Sequence, residues 1–301
     1  MKKPKIVCIG LYVLICAIDL SFLYAQDAIR IEEGYYEERP HFIVYTLTAT
    51  YYYDKVGGGF SRMIDQKGND WIGFKKEPWN AYPASAASSY RGLPNLVFRS
   101  DDGGAGHPGF DQCTSLVDGE RQIVTESKSG KWRWRWTFYE DHAVLEIEKT
   151  DPQQAYWFLY EGAAGGEYAP EQYYFGSDSR DSSLSRPKTQ HPDLSKGTAN
   201  FGKYQWMYVG HQQVDRILFM LQIEPDEHQD LISYMGNSER GVDSEDGMTV
   251  FGFGRGPQTQ ALLSEPQSFV IGFYPYKITG KADHLQLRKY VNGLMQRYRS
   301  K

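Results

Sequence analysis

Tyr90, Arg91 and His107 fall within one stretch of the chain, Gly57 to Phe110, and stand beside Gly92, Gly106 and Gly109. Glycine lets a backbone bend until such side chains converge. Tyr and His can take or give a proton, and Arg can hold a carboxylate through paired hydrogen bonds. Together they are the equipment for β-elimination: a carboxylate is neutralised, the proton beside it is removed, and the leaving oxygen is protonated. Arg255 follows Phe251-Gly252-Phe253-Gly254, which delivers it to the end of a strand. Glu161, with Glu167 and Glu171 nearby, offers different equipment, carboxylates for hydrolysis. The candidate catalytic set is therefore Tyr90, His107, Arg91, Glu161 and Arg255. Tyr90 or His107 serves as base or acid, and Arg91 or Arg255 as clamp. Trp79 and Tyr174 add ring faces for stacking, and Asn95 and His211 add polar groups for substrate binding. The expectation is that at least four of the five line one concave groove, with Trp79 or Tyr174 as its wall. The competing outcome is scatter, with the arginines in separate ion pairs.

Other chemistries lack their motifs. The sequence has no phosphate-cradling loop with Lys-Ser/Thr, no Gly-x-Ser-x-Gly elbow and no His-Glu-x-x-His. Gly252-Phe253-Gly254 sits in a strand pattern with no helix after it, which speaks against a dinucleotide site. Asp101-Asp102 and Asp178–Asp181 are the only places suggesting a structural calcium ion. Neither has full ligand spacing, so the chain is read as cofactor-free and without a metal site.

The elements that must position these residues read as strands. His41–Asp54 is rich in β-branched and aromatic residues and reads as one long strand. Gly59–Ile64 and Trp71–Phe74 read as a hairpin about the turn Asp65–Asn69. Residues 75–115 read as a long polar and aromatic loop, 168–200 as a second and 224–246 as a third. Further strands are predicted at Arg121–Glu126, Lys131–Tyr139, Ala143–Lys149, Tyr156–Tyr160, Tyr204–Gly210, Arg216–Ile223, Met248–Gly254 and Ser268–Tyr276. In Lys131–Tyr139 the three tryptophans 132, 134 and 136 share a face, with Lys131, Arg133 and Arg135 opposite. That face is either a stacking platform or, the reading preferred here, part of the core with the cations outside. Leu287, Tyr290, Val291, Leu294, Met295 and Tyr298 follow helical spacing and predict an amphipathic C-terminal helix. Roughly ten strands with long loops predict an all-β fold, a large antiparallel sandwich with that helix packed on it.

The ends and the composition bound the rest. Lys2, Lys3 and Lys5 precede an apolar run from Ile6 to Ile18, and Leu23-Tyr24-Ala25 ends in a small residue. Residues 1–25 thus have the layout of a signal peptide. Asp19 breaks the apolar run and disfavours a retained anchor. Bulky Ile15 before Cys16 does not suit a lipoprotein box. Residues 26–301 are read as a single domain, secreted or periplasmic. Removing 1–25 takes the net charge from −5 to −7, which argues against nucleic acid and anionic membrane as partners. It also leaves Cys113 as the only cysteine, read as an inert loop residue. Tyr (23) and Trp (7) are abundant, which favours strands and leaves flat rings for stacking.

Gly57-Gly58-Gly59-Phe60, Ile64-Asp65 and Gly68-Asn69-Asp70-Trp71-Ile72-Gly73 resemble the early hairpin of galactose-mutarotase-like super-sandwiches. Tyr90-Arg91-Gly92-Leu93-Pro94-Asn95-Leu96, Phe158-Leu159-Tyr160-Glu161-Gly162 and Met248–Arg255 are similar to pieces of exported bacterial sandwich proteins. The resemblance covers most of residues 40–276. It implies a super-sandwich that acts on carbohydrate, as aldose epimerases, polysaccharide lyases and many glycosidases do. The epimerase pattern needs two His and a Glu in fixed places. His107, His211 and Glu161 match it only loosely, so no epimerase role is carried over. Taken with the candidate residues, the expected activity is a polysaccharide lyase on a uronic-acid-containing glycan. The alternatives are a glycoside hydrolase using Glu161 with a second carboxylate, and a carbohydrate-binding sandwich without catalysis.

Overall fold

The computed structural model describes residues 29–76, 86–178, 180–185, 199–200, 202–236 and 244–300. These form three antiparallel sheets. The first is a meander in chain order: β1 (Arg30–Tyr36), β2 (Arg39–Tyr45), β3 (Ala49–Asp54) and β4 (Gly59–Asp65). The second has nine strands. It begins with β5 (Cys113–Val117), β6 (Gln122–Ser127), β7 (Arg133–Phe138) and β8 (His142–Lys149), side by side. It continues through β17 (Ser268–Tyr274), β14 (Ile217–Gln222), β13 (Trp206–His211), β10 (Tyr173–Ser177) and β11 (Arg180–Ser185). The third runs β9 (Phe158–Gly162), β16 (Met248–Phe253), β15 (Leu231–Met235), β12 (Ala199–Asn200). Two α-helices, α1 (Ala86–Tyr90) and α2 (Lys281–Arg299), and three single-turn 3-10 helices accompany the described strands.

The two small sheets are joined edge to edge. Residues 92–96 run between β4 and β9. Phe60 N donates to Leu93 O (2.6 Å) on one side, while Gly92 N donates to Glu161 O (2.7 Å) and Leu159 N to Pro94 O (2.8 Å) on the other. The joined layer packs on one face of the nine-stranded sheet. The shared core holds Tyr51, Tyr53 and Phe60 from the first sheet, Trp134, Trp136 and Phe138 from β7, and Phe158, Tyr160, Phe251 and Phe253 from the third sheet. This is a β-sandwich with an aromatic core, in which some rings meet tilted, as at Phe60–Trp136 (4.7 Å), and others stack, as at Phe158–Phe269 (4.3 Å, 8°). Gly58 sits at φ 76° where a Cβ would meet Trp134 Cζ2 at 2.7 Å, so the triple glycine is a packing necessity as well as a turn.

Strand alternation explains the other face. In β14, Leu218 and Met220 enter the sandwich core, while Ile217, Phe219 and Leu221 point the opposite way. There they meet Leu287, Val291 and Leu294 of α2, at the predicted helical spacing. Asp141 and His142 fasten the helix end: Tyr290 OH donates to Asp141 Oδ2 (2.8 Å), and His142 Nε2 lies 2.5 Å from Tyr298 OH.

Several boundaries differ from expectation. The predicted strand His41–Asp54 is two, β2 and β3, folded back at Thr46–Thr48, where Thr46 N and Oγ1 both donate to Ala49 O. Its continuous β-branched and aromatic run hid a turn without Gly or Pro. The second predicted loop, 168–200, contains β10, β11 and β12; the third, 224–246, contains β15; and 75–115 contains α1 and the start of β5. Tryptophans 132, 134 and 136 are all buried. Arg133 and Arg135 sit outside and pair with Glu148 at 2.7 and 2.8 Å. The tryptophan face is therefore core and not a platform.

Candidate functional site

The outer face of the third sheet carries a cavity of about 510 Å³. Alternation along β9 supplies its floor. Phe158 and Tyr160 point into the core, so Leu159 and Glu161, with Trp157 just before the strand, point out. Met235 of β15 and Met248 of β16 extend the floor, and Arg255 lies just beyond β16. The walls come from the long loop of the first half, through Tyr90, Asn95, Phe98, Arg99, His107 and Phe110. Gly92 lets this loop fold back on itself, because a Cβ there would come within 2.5 Å of Pro108 Cδ.

His107 and Glu161 face each other across the cavity, with Nε2 and Oε2 at 3.8 Å. His107 Nδ1 lies 2.9 Å from the carbonyl of Pro108. A carbonyl only accepts, so Nδ1 carries the hydrogen and Nε2 is the basic nitrogen. Rings hold the imidazole on two sides: Tyr90 (6.1 Å) and Phe110 (5.0 Å), both edge-on. The Arg255 guanidinium is buried, which lowers its pKa, while the charge of Glu161 acts the other way. Its Nη1 donates to Leu231 O and Ser233 Oγ, both at 3.0 Å. Behind it, Asp230 Oδ1 accepts from the backbone of Gly254 (2.6 Å) and Arg255 (3.1 Å). Burial and the nearby Asp226 charge push the Asp230 carboxyl up to about 7.

Of the five predicted catalytic positions, Tyr90, His107, Glu161 and Arg255 line this one cavity, and Asn95 lines it with them. Arg91 does not. Its guanidinium turns the other way and donates to Gly247 O (2.6 Å), Glu245 O (3.0 Å) and Gly73 O (3.3 Å). Buried and bonded to these carbonyls through both Nη atoms, it ties loops together and does not reach the cavity. Tyr174 is also misplaced. It packs on the α2 side of the nine-stranded sheet, with its hydroxyl 3.3 Å from Ile278 N. His211 ends β13 against Tyr173 and Gly165, where its Nδ1 accepts from Gln213 N at 3.1 Å. It is not among the cavity's lining, so the two-His-one-Glu pattern is not assembled there. Trp79 lies outside the described residues.

The aromatic wall comes instead from Phe98 and Trp157. Their rings stack at 5.0 Å and 25°, and Trp157 Nε1 donates to Asn95 O (2.5 Å). Arg99 covers the outer ring at 4.8 Å. Sequence reasoning missed these three, although Phe98-Arg99 lies in the long loop singled out above and Trp157 is in the predicted strand Tyr156–Tyr160. Gln258 and Thr259 complete the rim. Of the six described non-glycine residues with positive φ, four line this cavity: Asn95, Arg99, Gln258 and Thr259. Backbone held in that region clusters at sites where side-chain direction matters more than comfort.

The arrangement can bind a polar molecule with one apolar face and move a proton on it. Among the described lining residues Glu161 is the one carboxylate, set against two arginines. The cavity therefore carries net positive charge even with His107 neutral.

No family model matches the sequence, and no curated protein is similar to it. Among solved structures, the chain is similar to that of HI1317, with a TM-score of 0.50 and 10% identity over 81% of this chain and 96% of that one. It is also similar to a galactose mutarotase related enzyme from Lactobacillus acidophilus (TM-score 0.45, 8% identity, 79% and 100% covered). A third likeness is to YidC from Thermotoga maritima (TM-score 0.36, 9% identity, 83% of this chain and 52% of that one). At such identities a likeness concerns the fold alone.

Proposed function

We propose that the cavity binds an anionic saccharide and that the chain is an exported lyase, breaking a uronate-containing glycan by β-elimination. The observation that carries this reading is the meeting of His107 and Glu161 at 3.8 Å in a cavity whose described lining holds Tyr90, two arginines and no carboxylate besides Glu161. His107 Nε2 takes the proton from the carbon next to the sugar carboxylate. Arg255 and Arg99 supply the positive field that acidifies that carbon. The electron pair forms the new double bond and expels the glycosidic oxygen, which takes a proton from Tyr90 OH. Glu161 steadies the imidazolium that results. Trp157, backed by Phe98, offers the ring face against which a pyranose stacks. The two-carboxylate hydrolase is less well supported, because Glu161 has no second carboxylate beside it among the described lining residues.

The test is incubation with a panel of uronate polymers. Elimination leaves a conjugated, unsaturated sugar with new ultraviolet absorbance. His107→Ala and Glu161→Gln should each lower the rate about 100-fold or more while the proteins stay folded. New reducing ends without that absorbance would reassign the site to hydrolysis, and binding without product would make it a carbohydrate-binding module. Export belongs to the same proposal: expressed in a secreting host, the mature chain should begin at Gln26 on N-terminal mass analysis.

A further inference from the structure

Two hairpin turns in the chain break the same rule of turn chemistry, and they differ in what supports them. The turn between β1 and β2 places Glu37 at φ 49° and Glu38 at φ 59°. The hairpin after β16 closes with Gln260 N donating to Pro257 O (3.1 Å), and places Gln258 at φ 54° and Thr259 at φ 58°. Positive φ at both central positions is the type I′ signature, which strongly prefers Asn-Gly or Gly-Gly. A β-branched threonine there is an outlier.

At the first turn the chain offers compensation. Lys76 N donates to Glu37 Oε2 (3.3 Å), and Lys76 Nζ pairs with Glu38 Oε2 (2.7 Å). At the second turn, among the described residues, the Gln258 amide makes no side-chain hydrogen bond, and the Thr259 hydroxyl donates only to the adjacent Gln258 carbonyl (2.6 Å). Both residues line the cavity. The base of the same hairpin carries Arg255, through the Arg255–Ala261 bridge and Gly256 N donating to Gln260 O (2.9 Å). The strained tip is thus fixed in register with a cavity cation.

We propose that Gln258 and Thr259 are specificity-determining residues, held left-handed so that their polar groups meet the hydroxyls of a bound anionic saccharide. The inference rests on the saccharide reading above. The Gln258 amide presents two donors and an acceptor, and the Thr259 oxygen, its hydrogen already committed, presents an acceptor. Adjacent hydroxyls on a pyranose ring can satisfy both. The strain is tolerated because only the ligand uses these groups, a division expected where activity and stability compete.

The experiment combines the double variant Gln258→Asn, Thr259→Gly, an ideal type I′ pair, with the control Glu37→Asn, Glu38→Gly. Thermal melting and calorimetric binding are measured against oligogalacturonate, alginate and heparin-type oligosaccharides. The double variant should melt about 3 °C higher and bind its best oligosaccharide about tenfold more weakly. The control should bind as the wild type does. A double variant that binds as tightly as wild type overturns the inference and leaves the saccharide reading standing. One that melts lower also overturns it, because the turn would then be supported from within the fold. A wild-type chain that binds none of the three classes fails the saccharide reading itself, and the inference with it.

Discussion

At the scale of single residues, the site depends on groups that do not line it. Asp230 is buried behind Arg255 and holds two backbone N–H groups of the turn that presents it. Its carboxyl keeps its proton up to about pH 7 in the fold, whereas in an unfolded chain it loses it at about 4. Between those values the folded state binds more protons than the unfolded one. The contribution of Asp230 to stability is therefore fully present below about pH 4 and is lost as pH rises through 7. Asp230→Asn keeps an oxygen to accept both N–H groups and cannot ionise. Denaturant melts across pH should show a shallower decline between 4 and 7 in this variant, and a higher midpoint than wild type at pH 8. An unchanged slope would remove Asp230 from the pH response.

At the scale of elements, the cavity exists because a loop is clamped onto a sheet edge. Residues 92–96 bridge β4 and β9, and Arg91, one position earlier, ties the loop to Gly73 on one side and to Glu245 and Gly247 on the other. Removing the guanidinium would leave several buried carbonyls without donors, each at a cost of about 1–3 kcal/mol. Arg91→Ala should thus lower stability by about 3 kcal/mol or more, read as a shifted denaturation midpoint. Loss of activity with an unmoved midpoint would instead return Arg91 to the site. Under the proposed elimination a clamp for a substrate carboxylate would lie in the cavity, where Arg255 and Arg99 are the arginines among the described lining residues.

At the scale of the whole molecule, the largest of the buried clusters is the aromatic core that the three sheets share, and the described residues hold no disulfide. Cys113 starts β5 inside that core, and burial pushes its thiol up to about 12. A thiol in that state is almost wholly protonated at neutral pH and reacts slowly. Iodoacetamide at pH 8 should leave the native protein unlabelled at Cys113 and modify it fully in denaturant. Fast labelling of the native chain would mean that the β5 edge opens. The sequence reading of Cys113 as a loop residue is corrected on the same ground: β5 pairs with β6, placing Cys113 opposite Ser127.

What the sequence determined by itself is what local periodicity carries. A period of two placed tryptophans 132, 134 and 136 on one face, and a period near 3.6 placed Leu287, Val291 and Leu294 on another, because side-chain direction follows directly from backbone geometry. Glycines near polar residues marked Tyr90, Arg91 and His107, since a chain that must bend at a site shows the bend in its composition, although Arg91 then turned elsewhere. Arg255 was legible as the residue after a Gly-rich strand end. Tertiary structure decided everything that depends on a distant partner. Tyr173 and Tyr174 look alike in sequence, yet neighbouring strand residues face opposite sides, and Tyr174 fell to the α2 side. Tyr90 and Arg91 are adjacent, and carbonyls 18, 154 and 156 residues away turned the arginine from the cavity. β10 and β15 lie in polar surroundings and became strands because β13 and β16 were there to pair with them. Trp157 and Phe98 became a wall for the same reason: two rings 59 positions apart in the sequence stack only after the loop is laid along β9.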